Sequence, residues 1–330
     1  MVNPLILSCD WYQDLKMYQI PDTLISDLIK EYPSLSIVPV NCPGLPDHDE
    51  NSKVYFGNRL DENLLKNMPL LDWAHFGSIG IDKLSHKTIE ENKLTITNSR
   101  GTMEEAVAAS ALSFIFSLAR GFKRIYLSSI ENSFGRKDYD QFFPYSSDVF
   151  GSKFCILGYG TISFTLLKAL KPIAGKINVV TRSKRKISGL SFFNFSEINQ
   201  AVRDSDFIIN LLPHKKNTLN IVNKKVISNF AKESIYVNLG RYSTNDERCL
   251  VEAVYKNKIA GLGLDVFSGD DSLKQKMFKH HNIILSPHVA AVSKNYWIKQ
   301  TEIVKWNLKQ YFKGDFKKMK NLVYLKGNLK

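Results

Sequence analysis

The sequence predicts an α/β protein of two domains, each built on a parallel sheet, and three observations predict it. The chain has 330 residues, more than one hydrophobic core usually serves, so two domains of roughly 100 to 200 residues are expected. Short apolar runs alternate with stretches of helical period along most of its length, the pattern of strands laid parallel by crossover helices. At Phe154–Ser163 one such run breaks into Gly158-Tyr159-Gly160 and then into a helical pattern. That is the form of a strand, tight turn and helix N-terminus holding a pyrophosphate: glycines let the backbone approach, and free N–H groups attract the anion. The third position of the fingerprint is Ser163, where glycine is usual.

Taken in order, Leu5–Ser8 reads as a buried strand and Asp22–Tyr32 as a helix with apolar Leu24, Ile25, Leu28 and Ile29. Leu35–Val40 reads as a second strand. After a Pro- and Gly-bearing loop, Asn41–Asn51, the alternation continues through Lys53–Gly57, Asp61–Asn67 and Leu71–Phe76. Phe76-Gly-Ser-Ile-Gly-Ile-Asp82 can aim glycine-flanked amides at a carboxylate or can simply redirect the chain. Thr102-Met-Glu-Glu105 reads as a capping box opening a long helix of small and apolar residues, suited to a core or a dimer interface. Residues 131–149 show no period and read as a loop.

Beyond the Gly-x-Gly turn, Lys176–Thr181 is the next strand, followed by Arg182, Ser183, Lys184, Arg185 and Lys186. In a dinucleotide fold an acid here accepts from the ribose 2′-hydroxyl. A basic run in its place suits a 2′-phosphate, or is a solvated turn. Strands follow at Asp206–Leu212, Ser234–Leu239, Ile259–Val266 and Asn282–Ser286, with helices at Asp246–Tyr255 and Asn295–Phe312. Their C-terminal ends carry Pro213, Arg241, Asp265 and Asp270, and His288, on the edge where open parallel sheets bind ligands. His214, in a loop, reads as incidental.

Composition narrows the class. Hydrophobic residues make up 44% and charged residues 23%, values of a soluble globular chain. The net charge of +13 is spread along the sequence with no stacking-rich basic motif, so a solvated basic surface is expected rather than a nucleic-acid partner. Cys9, Cys42, Cys155 and Cys249 form no Cys-x-x-Cys pair, which argues against disulfides and zinc. No secretory pattern opens the chain, and the longest apolar segment, Ala106–Ala119, is too short for a bilayer. A cytoplasmic, reduced protein without a membrane or metal partner is expected.

Seven stretches in this order resemble the D-isomer-specific 2-hydroxyacid dehydrogenases, most strongly from Trp73 to Phe312. They are Trp73–Asp82, Asn98-Ser-Arg-Gly101, Gly158-Tyr-Gly160, Ser205–Pro213, Val237-Asn-Leu-Gly-Arg241, Gly261–Phe267 and Ser286-Pro-His288. The resemblance implies a Rossmann-type doubly wound sheet domain at 102–290. A smaller flavodoxin-like α/β substrate domain would be formed by 1–101 and 291–330. It implies that Arg241 holds the substrate carboxylate and polarises the carbonyl, that His288 gives a proton to the alkoxide, and that Asp270 pairs with His288. A carboxylate beside a histidine favours the protonated ring. Ser78, Ile79 and Gly80 would bind substrate. Gly158, Tyr159, Gly160, Thr161, Ile162, Arg182, Ser183, Lys184, Arg185, Leu212, Pro213, Leu239 and Asp265 would bind the cofactor.

Four positions depart from the family pattern. Asp270 stands for a longer glutamate, Ser163 for glycine, Ala109-Ser110 for a Glu-His pair, and Tyr242 follows the arginine where glycine is common. The expected activity is reduction of a small 2-keto acid such as glyoxylate or hydroxypyruvate. NADP(H) is the preferred cofactor with NAD(H) possible, and a homodimer forms through the 102–126 helix region. The alternative is a non-catalytic NAD(P)-binding interaction protein on the same fold.

Overall fold

Runs of three to six residues become strands, and the polar-flanked segments between them become crossover helices. The computed structural model describes residues 5–10, 19–39, 50–81, 84–131, 135–140, 146–183 and 185–326. The chain divides into two units, 1–103 with 292–330, and 104–291.

The first unit opens with β1 (Leu5–Asp10), α1 (Asp22–Glu31), β2 (Leu35–Pro39), β3 (Val54–Gly57), α2 (Glu62–Lys66), β4 (Trp73–Phe76), α3 (His86–Glu91) and β5 (Thr95–Asn98). On α1, Leu24 and Leu28 stand one turn apart and are both buried, the core stripe of an amphipathic helix. α2 begins where the Asp61 carboxylate accepts from the amides of Asn63 and Leu64, a cap worth about 1 kcal/mol. The parallel order is β2-β1-β3-β4-β5, the flavodoxin-like arrangement.

The second unit is longer. It contains α4 (Glu104–Ala119), α5 (Phe122–Ile130), α6 (Arg136–Asp140), β6 (Lys153–Leu157), α7 (Thr161–Leu170), β7 (Lys176–Val180), β8 (Ser191–Phe193), α8 (Ile198–Arg203) and β9 (Phe207–Asn210). Then come α9 (Lys224–Ser228), β10 (Ile235–Asn238), α10 (Glu247–Tyr255), β11 (Gly261–Leu264), α11 (Asp271–Lys279) and β12 (Ile283–Leu285). The sheet runs β8-β7-β6-β9-β10-β11-β12, parallel throughout. The order reverses between β6 and β9, so the crevice of a doubly wound sheet opens beyond their C-terminal ends. Buried Phe154 and Phe207 stack face to face across these two strands, 5.0 Å between centroids.

The chain then returns to the first unit in α12 (Tyr296–Phe312) and β13 (Leu322–Tyr324), which pairs antiparallel with β5. β13 lies in the Lys-rich end, for which no strand was expected.

The long helix expected from Thr102 is two helices. It starts at Glu104, and the Thr102 hydroxyl donates to the Ser99 carbonyl at 2.8 Å. It stops at Ala119, where Gly121 takes a left-handed φ of 63° and α5 leaves at 68°. α4 packs on β11, where Gly261 and Gly263 leave room for Leu118 and Phe114. Within 131–149, expected as loop, Arg136–Asp140 is helical. Among the described residues no single helix is long and apolar enough to cross a membrane.

Candidate active site

Gly158 follows β6 with φ +108°, and a Cβ there would stand 3.3 Å from the Leu211 backbone. Only glycine therefore serves at this turn. Gly160 opens α7 from extended backbone (φ −135°, ψ −168°), and a Cβ on it would meet nothing within 4 Å. Ser163 resolves its own departure from the fingerprint. Its hydroxyl accepts from the Gly160 amide at 2.6 Å and donates to the Gly160 carbonyl at 2.8 Å, closing the first turn of α7. The Gly160 amide is thus engaged, and among the described residues the amides of Thr161 and Ile162 have no acceptor. Those two remain to meet an anion at the helix N-terminus.

A cavity of about 290 Å³ lies on this turn, lined by Gly158, Tyr159, Gly160, Arg182, Ser183, Arg185, Leu212 and Pro213 among others. The residues fit a dinucleotide: a glycine cradle, open helix amides, and guanidinium groups beyond β7 to meet phosphate. Of the expected cofactor residues, Lys184 lies outside the described residues. Leu239 is buried with its amide on the Asn210 carbonyl, and it lines neither this cavity nor the next. Sequence reasoning missed Thr181, Phe195, Leu211, Lys215, Asn217 and Thr218 in the wall. The Thr218 hydroxyl donates to the Pro213 carbonyl at 2.6 Å and accepts from the Lys215 amide at 2.9 Å. A threonine three residues past a lysine in a Pro-containing loop carries the signal of such a turn.

A second cavity, about 280 Å³, gathers Arg241, Tyr242, Asp265, Val266, Phe267, Pro287 and His288. Arg241 leaves the end of β10, and its Nη1 donates to the Gly240 carbonyl at 3.0 Å. Gly240 sits so close to the neighbouring loop that a Cβ would lie 2.5 Å from the Leu212 carbonyl oxygen. The cofactor loop and the arginine are therefore registered through one glycine. Tyr242, 54% exposed, forms part of the cavity wall. His214 meets the Ser243 hydroxyl at 2.7 Å and lines neither cavity.

His288 is exposed and holds a left-handed backbone, φ 57°, a conformation that costs a non-glycine residue energy. Asp265 enforces it. Its Oδ1 accepts from the Ser286 hydroxyl (2.5 Å) and the Val289 amide (2.9 Å), and both oxygens accept from the Ala290 amide (3.2 Å). The His288 amide donates to the Asp265 carbonyl at 2.9 Å. Asp265, expected to bind cofactor, lines the cavity while its carboxylate is committed to the histidine-bearing turn.

Asp270, expected to pair with His288, is engaged elsewhere. It is the N-cap of α11, accepting from the Leu273 amide at 3.1 Å, and its other oxygen takes Arg248 at 2.8 Å. These two donors hold its carboxyl below the usual aspartate value. No hydrogen bond or ion pair joins it to His288, and it does not line the cavity. A side chain one methylene shorter than glutamate reaches the nearest amide of its own helix first.

In the first unit the turn Gly77–Gly80 has every carbonyl satisfied. Tyr296 Oη donates to Gly77 (2.8 Å), the Ser99 amide to Ser78 (3.2 Å), Asn98 Nδ2 to Ile79 (2.8 Å) and Ser78 Oγ to Gly80 (2.7 Å). The amides of Ser78, Ile79 and Gly80 donate to no described residue. Asp82 lies outside the described residues.

Comparison with known proteins identifies this combination. Residues 112–290 match the model of the D-isomer specific 2-hydroxyacid dehydrogenase NAD binding domain. A glyoxylate/hydroxypyruvate reductase of Arabidopsis thaliana is 27% identical over 273 residues, 81% of this chain and 82% of that protein. A glyoxylate reductase of Pyrococcus horikoshii is 25% identical over 261 residues, 78% of each chain. Among solved structures, the NADPH-dependent glyoxylate/hydroxypyruvate reductase of Sinorhizobium meliloti, in complex with NADP and malonate, superposes with a TM-score of 0.80. It is 21% identical and covers 99% of this chain and 100% of its own. The NAD-bound formate dehydrogenase of Staphylococcus aureus reaches 0.82 at 17% identity, covering 98% and 100%. Reductase relatives of this kind do not favour the non-catalytic alternative. The chain belongs to the D-isomer-specific 2-hydroxyacid dehydrogenases, NAD(P)-dependent oxidoreductases.

Proposed function

We propose that the protein reduces a small 2-keto acid of the glyoxylate or hydroxypyruvate kind, with NADPH in preference to NADH, as a homodimer. The observation that carries the reading is the cavity shared by Arg241 and His288 at the ends of β10 and β12, in the same sheet as the Gly-x-Gly turn. Arg241 binds the substrate carboxylate and draws electron density toward the carbonyl oxygen. Reduced nicotinamide, when bound, supplies the hydride to the carbonyl carbon. His288 then donates its proton to the oxygen, giving the 2-hydroxy acid, and its exposed ring is reprotonated from water. Asp265 keeps that ring in place through the turn it holds. The Ser78–Gly80 amides are proposed as a substrate-binding element on the strength of their open donors.

NADPH preference is supported by Arg182, Ser183 and Arg185 in the wall where an acid would select NADH. The relatives' names support the substrate class: the Arabidopsis thaliana protein is called a glyoxylate/hydroxypyruvate reductase. Support for the dimer comes from α5, where Phe122, Tyr126 and Ile130 are 57%, 65% and 59% exposed at four-residue spacing, one apolar face. The test is oxidation of NADPH and NADH against a panel of 2-keto acids. Turnover of glyoxylate or hydroxypyruvate with a lower KM for NADPH is expected, and turnover of none overturns the reading. Light scattering on the parent and on Tyr126→Glu checks the dimer.

A further inference from the structure

We infer that Tyr159, the middle residue of the Gly-x-Gly turn, is a positioning residue for cofactor choice. It holds Arg185 as the guanidinium that meets the 2′-phosphate. The inference rests on the NADPH reading above and goes beyond it, by naming which cation of the basic run acts and what fixes it. The Arg185 guanidinium carbon lies 5.1 Å from the centre of the Tyr159 ring, within cation–π range. The ring is itself fixed, edge-on to Phe164 at 4.6 Å and to Phe192 at 5.1 Å. Tyr159 and Arg185 line the same cavity as the turn glycines.

Arg182 lines that cavity too, yet it makes no hydrogen bond, ion pair or ring contact with any described residue. Two arginines in one wall therefore differ in freedom. A long side chain ordered only on binding loses rotamer entropy, whereas one already held over a fixed ring has lost part of it in the free protein. A guanidinium held over a ring keeps the N–H groups that do not face the ring for phosphate oxygens. The device joins two jobs in one turn: Gly158 and Gly160 bring the backbone close, and the side chain between them sets the charge that reads the ribose.

The test compares the kcat/KM ratio for NADPH over NADH in the parent and in Tyr159→Phe, Tyr159→Leu, Arg185→Met and Arg182→Met, with glyoxylate as acceptor. Tyr159→Phe keeps the aromatic face, and its ratio stays within about twofold of the parent. Tyr159→Leu lowers the ratio about tenfold. Arg185→Met lowers it more than Arg182→Met does, and adding Tyr159→Leu to Arg185→Met lowers it no further. The two arginine variants are at exposed positions, so they report even if Tyr159→Leu folds poorly. A parent without preference for NADPH overturns the cofactor reading and this inference with it. A preference that survives Tyr159→Leu, or that depends on Arg182 more than Arg185, overturns the inference alone.

Discussion

Replacing Gly240 by alanine tests the join between cofactor loop and substrate arginine. The added Cβ would lie 2.5 Å from the Leu212 carbonyl oxygen, 2.8 Å from the Leu212 nitrogen and 3.1 Å from the Leu211 carbonyl carbon. All three are backbone atoms, so no side chain can swing aside. The shortfall from van der Waals contact is about 0.8 Å, to be met by moving the 211–213 loop, Arg241, or both. Overpacking of this kind costs about 1–3 kcal/mol, and a displacement near 1 Å at a reacting group can cost about 10²-fold in rate. Gly240→Ala is therefore expected to lose stability, weaken NADPH binding and lower kcat together. Gly160→Ala is the counterpart: its Cβ meets nothing within 4 Å, so folding should stay within about 0.5 kcal/mol of the parent while NADPH binding weakens. Urea unfolding, fluorescence titration with NADPH and steady-state rates separate the two. A Gly240→Ala protein with parental stability, affinity and rate would refute the claim that this glycine sets the register.

Other consequences follow from buried or committed groups. His75 is buried, with Nδ1 against the Thr97 hydroxyl at 2.8 Å and Nε2 against Gln300, and burial pushes its imidazole down to about 3. The folded protein keeps the ring neutral while the unfolded chain binds a proton below about 6.5. The stability it contributes is therefore full above that pH, and is lost by up to about 1.4 kcal/mol per unit as pH falls toward 3. His75→Gln should flatten the acid limb of urea midpoints between pH 6.5 and 4.5, and an unchanged slope would count against it. Asp265→Asn loses charge-assisted bonds to the 286–290 turn worth about 1.5–3 kcal/mol each. Its kcat should fall at least about tenfold, because His288 is no longer held; a kcat equal to the parent's would contradict that role. Asp270→Asn retains a good N-cap, and kcat should stay within about threefold; a hundredfold loss would restore Asp270 as the partner of His288.

Much of the scaffold was legible because local pattern and global fold agree. The Gly-x-Gly turn, the apolar runs at β6, β9 and β10, and the basic residues after β7 each carry their signal within a few positions. What escaped depends on distance or on competition. β13 is a strand only because Tyr324 finds Ile96 far away in the chain, and Leu322–Tyr324 has no period of its own. α11 buries only Met277, too little apolar surface to show a helical stripe.

The active-site assignments divide in the same way. Arg241 and His288 were readable as polar residues at strand ends, since the topology of a parallel sheet brings those ends together. Asp270 was assigned by resemblance, whereas its local pattern, an acid three residues before Leu273, is that of a helix cap, and the cap prevailed. The cofactor role of Asp265 comes from the resemblance, and nothing local reveals that its carboxylate also organises a turn more than twenty residues later.

Arg241 and His288 perform the chemistry, while the dinucleotide is held chiefly by the Gly-x-Gly turn and the loops around it. The decisive measurement is NADPH-dependent reduction of glyoxylate by Arg241→Ala and His288→Ala, beside NADPH titration of the same samples. NADPH binding should stay within about threefold of the parent. In each variant kcat/KM should fall by about 10³-fold or more, with KM for the keto acid rising in Arg241→Ala. Turnover near the parental rate in both variants would contradict these roles.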